Sequence, residues 1–227
     1  MRTTGGHETK YVIDNSASHI IMAWLKSRCW EDSYYAAGSV SSIYYDTPDW
    51  HFLREKINSD FLKQKIRVRW YSDIETEYPY DGSFLEAKFK TGSRRRKTRI
   101  RSDISGQWLA RAPFHDQKWF QIIQPLREKG VPFPGPLFPA FQITYKRWRF
   151  IEPLSGARIN LDCDIHMPRV NCQMVPLSNP FFLRKAVFEF KGDSQVLPQV
   201  LFQLTAMGCR NESFSKYMVC YKKIMRI

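Results

Sequence analysis

Phe61-Leu-Lys-Gln-Lys-Ile-Arg-Val-Arg-Trp-Tyr71 carries a basic residue at every second position: Lys63, Lys65, Arg67 and Arg69. Successive side chains of a β-strand point to opposite faces, so this spacing sets four cations on one face of one strand. Leu62, Ile66, Val68 and Trp70 fall on the other face, which reads as a packing surface. A row of positive charge attracts a row of negative charge, and the linear polyanions of biology are phosphates.

The alternation recurs along the chain. In 83–90, Glu86, Lys88 and Lys90 oppose Leu85, Ala87 and Phe89. In 96–103, Lys97, Arg99 and Arg101 oppose Thr98 and Ile100, and in 141–151 Arg147 and Arg149 align with Tyr145. In 157–165, Arg158, Asn160, Asp162 and Asp164 oppose Ile159, Leu161, Cys163 and Ile165. In 183–191, Lys185, Glu189 and Lys191 oppose Ala186, Phe188 and Phe190. A sheet with one solvated face also looks charged. Solvated faces, however, mix small polar residues with both signs of charge, whereas Arg and Lys dominate here.

Short strands are also expected at 11–13 and 40–45, the latter ended by the turn signal Asp46-Thr-Pro-Asp49. Asp14, Asn15 and Ser16 offer N-caps to a helix over 17–28, in which Ile20, Ile21, Trp24 and Leu25 recur at helical spacing. A helix is expected within 104–130, with Trp108, Leu109, Trp119, Ile122 and Ile123 as its apolar face. The proline-rich stretch 131–139 must be a loop, and 195–207 and 214–224 read as closing helices. Few strands are joined by a helix, so an α+β fold with an antiparallel sheet is expected, as one domain over 1–227. Closed into a barrel of about eight strands with helices outside, such a sheet would line a tunnel with its charged faces. Crowded cations there cost free energy unless anions fill the space, which makes a binding site.

Composition sets outer bounds. The chain has 227 residues with 35 Lys+Arg against 22 Asp+Glu, a formal net charge of +13. That excess calls for an anionic partner without naming it; nucleic acid, an anionic membrane surface and a polyphosphate all qualify. Five cysteines (Cys29, Cys163, Cys172, Cys209, Cys220) with no CxxC pair read as reduced thiols, which points to a cytoplasmic protein. No apolar run approaches the roughly 18 residues of a membrane span, and Met1–Gly6 lacks a signal-peptide core. The five histidines form no ligand-like cluster, although His7 sits beside the N-terminal Glu8-Thr-Lys10. Asp162 and Asp164 read as ion-pair partners for arginines on the same face, and Arg94-Arg-Arg-Lys97 as a solvated hairpin edge or a funnel for a polyanion.

Six segments then match a family in order: Glu8-Thr-Lys10-Tyr11, Ile43-Tyr-Tyr-Asp-Thr47, Lys65-Ile-Arg-Val-Arg-Trp-Tyr71, Phe84-Leu-Glu-Ala-Lys88, Glu189-Phe-Lys191 and Ser215-Lys-Tyr217. From Glu8 to Tyr217 the chain resembles VTC domains, the polyphosphate polymerase domains of the vacuolar transporter chaperone complex and their free-standing microbial relatives. These are similar to the triphosphate tunnel metalloenzymes, or CYTH-like superfamily, antiparallel barrels whose charged interior binds a triphosphate and a divalent cation. The resemblance implies transfer of the ATP γ-phosphate to a growing inorganic polyphosphate chain, with release of ADP.

By the same resemblance, Lys10, Arg67, Arg69, Lys88, Arg147, Arg158 and Lys216 match phosphate-binding, catalytic positions, and Lys97 a further phosphate-binding one. Arg99, crowded beside Lys97, and Lys191, beside Glu189, join the phosphate-binding candidates. Glu189 matches the metal-binding glutamate, which would hold Mn²⁺ or Mg²⁺. The partners implied are ATP and inorganic polyphosphate, with no DNA expected and a membrane-protein partner left open.

The hydrolytic tunnel enzymes open with Glu-x-Glu-x-Lys, whereas the matching positions here are Gly6, Glu8 and Lys10. The missing first carboxylate points away from a plain triphosphatase and towards the polymerase branch. Two alternatives stay open: a metal-dependent triphosphate or nucleoside-triphosphate hydrolase, and a non-catalytic module that binds polyphosphate or nucleic acid.

Overall fold

The computed structural model describes residues 7–92, 94–176, 179–193 and 198–225, with Val200 described in its backbone alone. In chain order the elements begin with β1 (His7–Asp14), α1 (Ser18–Arg28), β2 (Trp30–Glu31), β3 (Ala37–Asp46) and α2 (His51–Ile57). There follow β4 (Leu62–Ser72), β5 (Ser83–Thr91), β6 (Arg94–Ser102) and three short helices, α3 (Gly106–Arg111), α4 (Lys118–Ile122) and α5 (Gln124–Glu128). Long strands β7 (Phe138–Ile151) and β8 (Arg158–Val170) lead to β9 (Phe181–Phe182), β10 (Lys185–Gly192), α6 (Gln203–Ala206), β11 (Arg210–Asn211) and α7 (Lys216–Met225). The fold is α+β, mostly antiparallel sheet with a few helices.

Two compact units divide the chain. The first comprises Met1–Gly38, Tyr145–His166 and Phe182–Ser215, the second Ser39–Thr144, Met167–Phe181 and Lys216–Ile227. The first unit's strands run in the order β11-β1-β10-β8-β7. Its core is the apolar face of that sheet (Ile159, Leu161, Phe188, Phe190) covered by Ile21 and Leu25 of α1. Asp14 starts the turn into α1 by accepting from the Ser16 amide at 2.9 Å.

The second unit's strands run β7-β3-β4-β5-β6. The alternation of β4 decides its layers. Ile66 and Val68 are fully buried and Trp70 nearly so, against Leu109, Trp119, Ile122 and Leu126 of α3–α5. Each such side chain contributes about 1.5–3 kcal/mol on burial, which fixes which face of β4 is apolar and leaves the cations to the other. The single helix expected within 104–130 is instead three. Pro113 follows Ala112, the C-cap of α3, and Pro125 opens α5, so neither site can sit inside a continuous helix. The freed carbonyls at the end of α3 are taken by Arg169 of β8, whose Nη1 donates to Leu109 O (3.0 Å) and Ala110 O (2.6 Å).

The hydrogen-bonded path has two ends, β11 and β6, so among the described residues the ladders do not close into the expected ring of about eight strands. Strand β6 shows why its edge does not recruit another: six of its nine residues are Arg or Lys, and a charged edge repels further pairing. Within the expected helix 195–207, Gln199–Leu201 forms a 3₁₀ turn and α6 only one turn, while residues 195–197 lie outside the described residues. Gly6, the position of the missing carboxylate, also lies outside them.

Candidate functional site

Each unit gathers one charged cluster on the polar face of its sheet. In the first unit the register sets Lys10 opposite Glu189 and Glu189 opposite Asn160, with Glu8, Lys191 and Arg158 aligned in the neighbouring row. Lys10 bridges two carboxylates: its Nζ lies 2.5 Å from Glu8 Oε1 and bonds Glu189 Oε1 as well. Lys191 Nζ is 3.2 Å from Glu189 Oε2, and Arg147 Nη2 is 3.7 Å from the same oxygen. Asp162, wholly buried, takes the Arg147 fork in a bidentate pair, from Nε at 2.5 Å and Nη2 at 2.6 Å. Asp164, in contrast, faces Lys146 and Asn15.

Protonation follows from this geometry. Burial acts to raise the Glu8 carboxyl, but the Lys10 charge outweighs it and holds Glu8 down at about 2. Burial likewise opposes the charge on Arg147, and Asp162 overcomes it, so the guanidinium is locked on. By residue type the cluster sets Lys10, Arg147 and Lys191, with Arg158 beside them, against the three carboxylates Glu8, Asp162 and Glu189.

The second cluster is unlike the first. Glu86 of β5, its side chain 1% exposed, sits at its centre. Arg67 reaches Glu86 Oε2 with Nε at 2.8 Å and Nη2 at 2.5 Å, and Arg69 Nη1 lies 3.9 Å from that oxygen. Lys97 Nζ is 2.7 Å and Arg99 Nε 3.4 Å from Oε1. Burial would raise the Glu86 carboxyl, yet Arg67, Arg69 and Lys97 hold it far below the usual carboxylate range. Burial lowers Lys97, with Glu86 opposing. One carboxylate thus faces four cations within this unit.

Strand β3 braces the arginines. Ser42 and Tyr44 lie opposite Arg69 and Arg67. Ser42 Oγ accepts from Arg69 Nε at 2.9 Å, and Tyr44 OH accepts from Arg67 Nη1 at 3.0 Å. Tyr217 of α7 stacks on Tyr44, ring centroids 4.8 Å apart, and donates to Asp46 Oδ2 at 2.6 Å. Lys216 heads α7 beside Tyr217, so that stack places it. Lys88 falls between Lys65 and Lys97 by register.

The structure thus brings Lys10, Arg147, Lys191 and Glu189 together in the first unit, with Arg158 directly opposite Lys191. It brings Arg67, Arg69, Lys97 and Arg99 together in the second. Sequence reasoning placed Glu86 on the charged face without a role, and missed Ser42 and Tyr44. Their signal is parity: in Ser42-Ile-Tyr44 the polar atoms alternate with Ile43, which is buried in the apolar core.

Among the described residues no three His, Cys, Asp or Glu side chains group as a metal cage. Glu8 and Glu189 nonetheless offer two carboxylates on adjacent strands, both held by Lys10. A hard divalent ion that takes one or two carboxylates and completes its shell with phosphate oxygens fits that donor set.

No helix of the described residues is long and apolar enough to cross a membrane. No curated protein matches the chain. Among solved structures it is similar to a "putative adenylate cyclase" of Bacillus halodurans, at 14% identity over 92% of each chain and a TM-score of 0.52, a likeness of fold alone. A second "putative adenylate cyclase", from Vibrio parahaemolyticus, aligns at 12% identity over 98% of each chain with a TM-score of 0.48. The family model described as VTC domain matches residues 6–225, nearly the whole length, and the chain belongs to that family.

Proposed function

We propose that the protein is a polyphosphate polymerase, transferring the γ-phosphate of ATP to the end of a growing inorganic polyphosphate chain. The observation that carries this reading is the Glu86 cluster, in which Arg67, Arg69, Lys97 and Arg99 share one carboxylate. Such a cluster holds positive potential for an anionic ligand, and membership of the VTC domain family supports a phosphate chain as that anion. Closure of the charged faces into a tunnel belongs to the same proposal.

Phosphoryl transfer asks for in-line positioning and charge neutralisation more than for a protein nucleophile. Arg67 and Arg69 suit the first need: Glu86, Tyr44 and Ser42 fix their planes before any ligand arrives. Lys97 and Arg99 are the more exposed pair; Lys97 supplies a mobile point charge to phosphate oxygens, and Arg99 a guanidinium held over the Phe84 ring at 3.7 Å. The attacking group is the terminal phosphate of the chain, already anionic at neutral pH, so no strong general base is needed. In the first unit, Lys10, Arg147, Arg158 and Lys191 would orient phosphate oxygens. Glu189, with Glu8, would hold Mn²⁺ or Mg²⁺, which supplies further neutralisation of the triphosphate when bound. Lys88 and Lys216 complete the phosphate-binding set.

A second reading, a triphosphate hydrolase, is favoured by the pairing of Glu8 and Glu189 on adjacent strands. Incubation with ATP and Mn²⁺ separates the two. The polymerase yields long chains and ADP in step, whereas orthophosphate as the sole phosphorus product besides ADP would overturn the reading.

A further inference from the structure

The turn from α2 into β4 and the tip of the β5–β6 hairpin meet at one end of the second unit's sheet. Gly92 N donates to Phe61 O at 2.9 Å, and the Phe61 ring lies over Gly92, where a Cβ would stand 2.9 Å from Cε2. Asp60 N ties the turn to α2 by donating to Glu55 O at 3.0 Å. Phe61 is therefore held in place across the hairpin, yet it is 74% exposed. Leu62 and Ile57, its near neighbours in the chain, are 50% and 41% exposed. Single apolar residues in water need no explanation, but three at one fixed turn mark an interaction surface. Cations crowd the same tip: residues 56–63 and 89–96 carry Lys56, Lys63, Lys90, Arg94, Arg95 and Arg96 against one carboxylate, Asp60. The register sets Leu62, Thr91 and Arg94 in one cross-strand row and Gln64, Phe89 and Arg96 in the next. Arg94 and Arg96, both exposed, thus fall on the sheet face opposite to that of Arg67, Arg69 and Glu86.

We propose that this tip docks on an anionic phospholipid surface, with Phe61, Leu62 and Ile57 entering the interfacial region and Arg94, Arg96 and Lys56 meeting the lipid headgroups. The proposal goes beyond the polymerase reading and does not depend on it. A soluble polyanion would satisfy the cations but leave three apolar side chains in water. A bilayer interface takes up both, hydrocarbon for the apolar residues and negative charge for the basic ones. Nucleic acid is disfavoured on the same ground, because Ile57 and Leu62 have no π-face on which a base could stack. Holding Phe61 against Gly92 fixes the apolar knob in advance, so docking asks for little further ordering.

The test is co-sedimentation of wild type, F61S/L62S and R94Q/R96Q with vesicles of phosphatidylcholine alone and of phosphatidylcholine mixed with phosphatidylserine. Wild type should bind the mixed vesicles and leave the neutral ones largely unoccupied. R94Q/R96Q should bind the mixed vesicles about 25-fold more weakly, at about fivefold for each charge near the surface. F61S/L62S should lose about tenfold or more, from apolar area no longer withdrawn from water. No binding by wild type, or equal binding to both kinds of vesicle, overturns the proposal. Unchanged binding by F61S/L62S reduces the contact to adsorption of a basic protein and overturns it as well. Oligothymidylate binding weakened by F61S/L62S as much as vesicle binding would assign the tip to nucleic acid instead. Because Phe61 packs on the hairpin, F61W/L62M and R94K/R96K serve as matched controls and should keep wild-type vesicle affinity. If the controls lose it equally, the effect is structural and the proposal falls.

Discussion

In the first unit Lys10, Arg147 and Lys191 face Glu8, Asp162 and Glu189, whereas in the second Arg67, Arg69, Lys97 and Arg99 share Glu86 alone. Both clusters grow from the same device, a strand with charge on alternate positions, yet they hold charge in different ways. Carboxylates nearly match cations in the first cluster, even with Arg158 opposite Lys191, so its net charge is small. The second is held by a single anion and keeps a positive field. On the proposed function, the second cluster would seat the anion and the first would hold a cation with its phosphate.

Substitutions can break that division at several strengths. The largest effect is expected at Glu189. Glu189→Gln should lower metal-dependent turnover about a hundredfold, an effect far beyond its stability loss of about 1–2 kcal/mol, because Gln keeps an acceptor for Lys10 while giving up the charge that Lys10, Arg147 and Lys191 share. Turnover with undiminished metal dependence would remove the first cluster from the reaction.

Arg67→Met tests the second cluster as structure. It removes both donors that Arg67 gives to Oε2 of a buried carboxylate, a loss of about 3 kcal/mol in urea unfolding, at the low end because three cations remain. Glu86 is held far below its ordinary value, so its contribution is complete above the unfolded carboxylate value of 4.5. The stability gap between wild type and Glu86→Gln should therefore be flat above about pH 5 and narrow only below it. A gap that narrows between pH 8 and 6 would show that Glu86 does not carry the charge assigned to it.

Asp162→Asn should cost about 2 kcal/mol, less than Arg67→Met, since Glu189 remains near Arg147. Glu8→Gln is the mildest, about 1 kcal/mol, given a side chain 23% exposed and screened by water. Because the folded Glu8 value lies at about 2 against 4.5, its contribution is full above pH 4.5 and lost as the pH falls towards 2. Acid unfolding curves of wild type and Glu8→Gln should converge over that window. Convergence already at pH 6 would argue against the Lys10 bridge.

Much of this was legible in the sequence, and the reason is parity. The alternation of 61–71 fixes which side chains of β4 meet the apolar core, and five further strands repeat it. Helix 17–28 was readable for the same local reason, with Ile21 and Leu25 buried as a helical pair. The segment 104–130 was not, because apolar spacing carries across Pro113 and Pro125 even where the backbone cannot. Closure of the sheet was not legible either, since pairing at an edge depends on what the edge strand repels. At the site, alternation named the cations but could not give Glu86 its role. A carboxylate at the centre of four cations on β4 and β6 is a fact of register between strands, and register between distant segments is not written in either strand alone. Tyr44 was hidden likewise, an aromatic in an apolar-looking strand whose hydroxyl only its partner Arg67 reveals.

The division of labour between the clusters is tested most directly by titrating tripolyphosphate, without metal, into wild type, K97Q/R99Q and R158Q/K191Q. If the second unit seats the anion, K97Q/R99Q should bind at least about tenfold more weakly, the loss expected from two charge-assisted contacts, and R158Q/K191Q within about threefold of wild type. Equal losses, or a greater loss in R158Q/K191Q, would contradict the account.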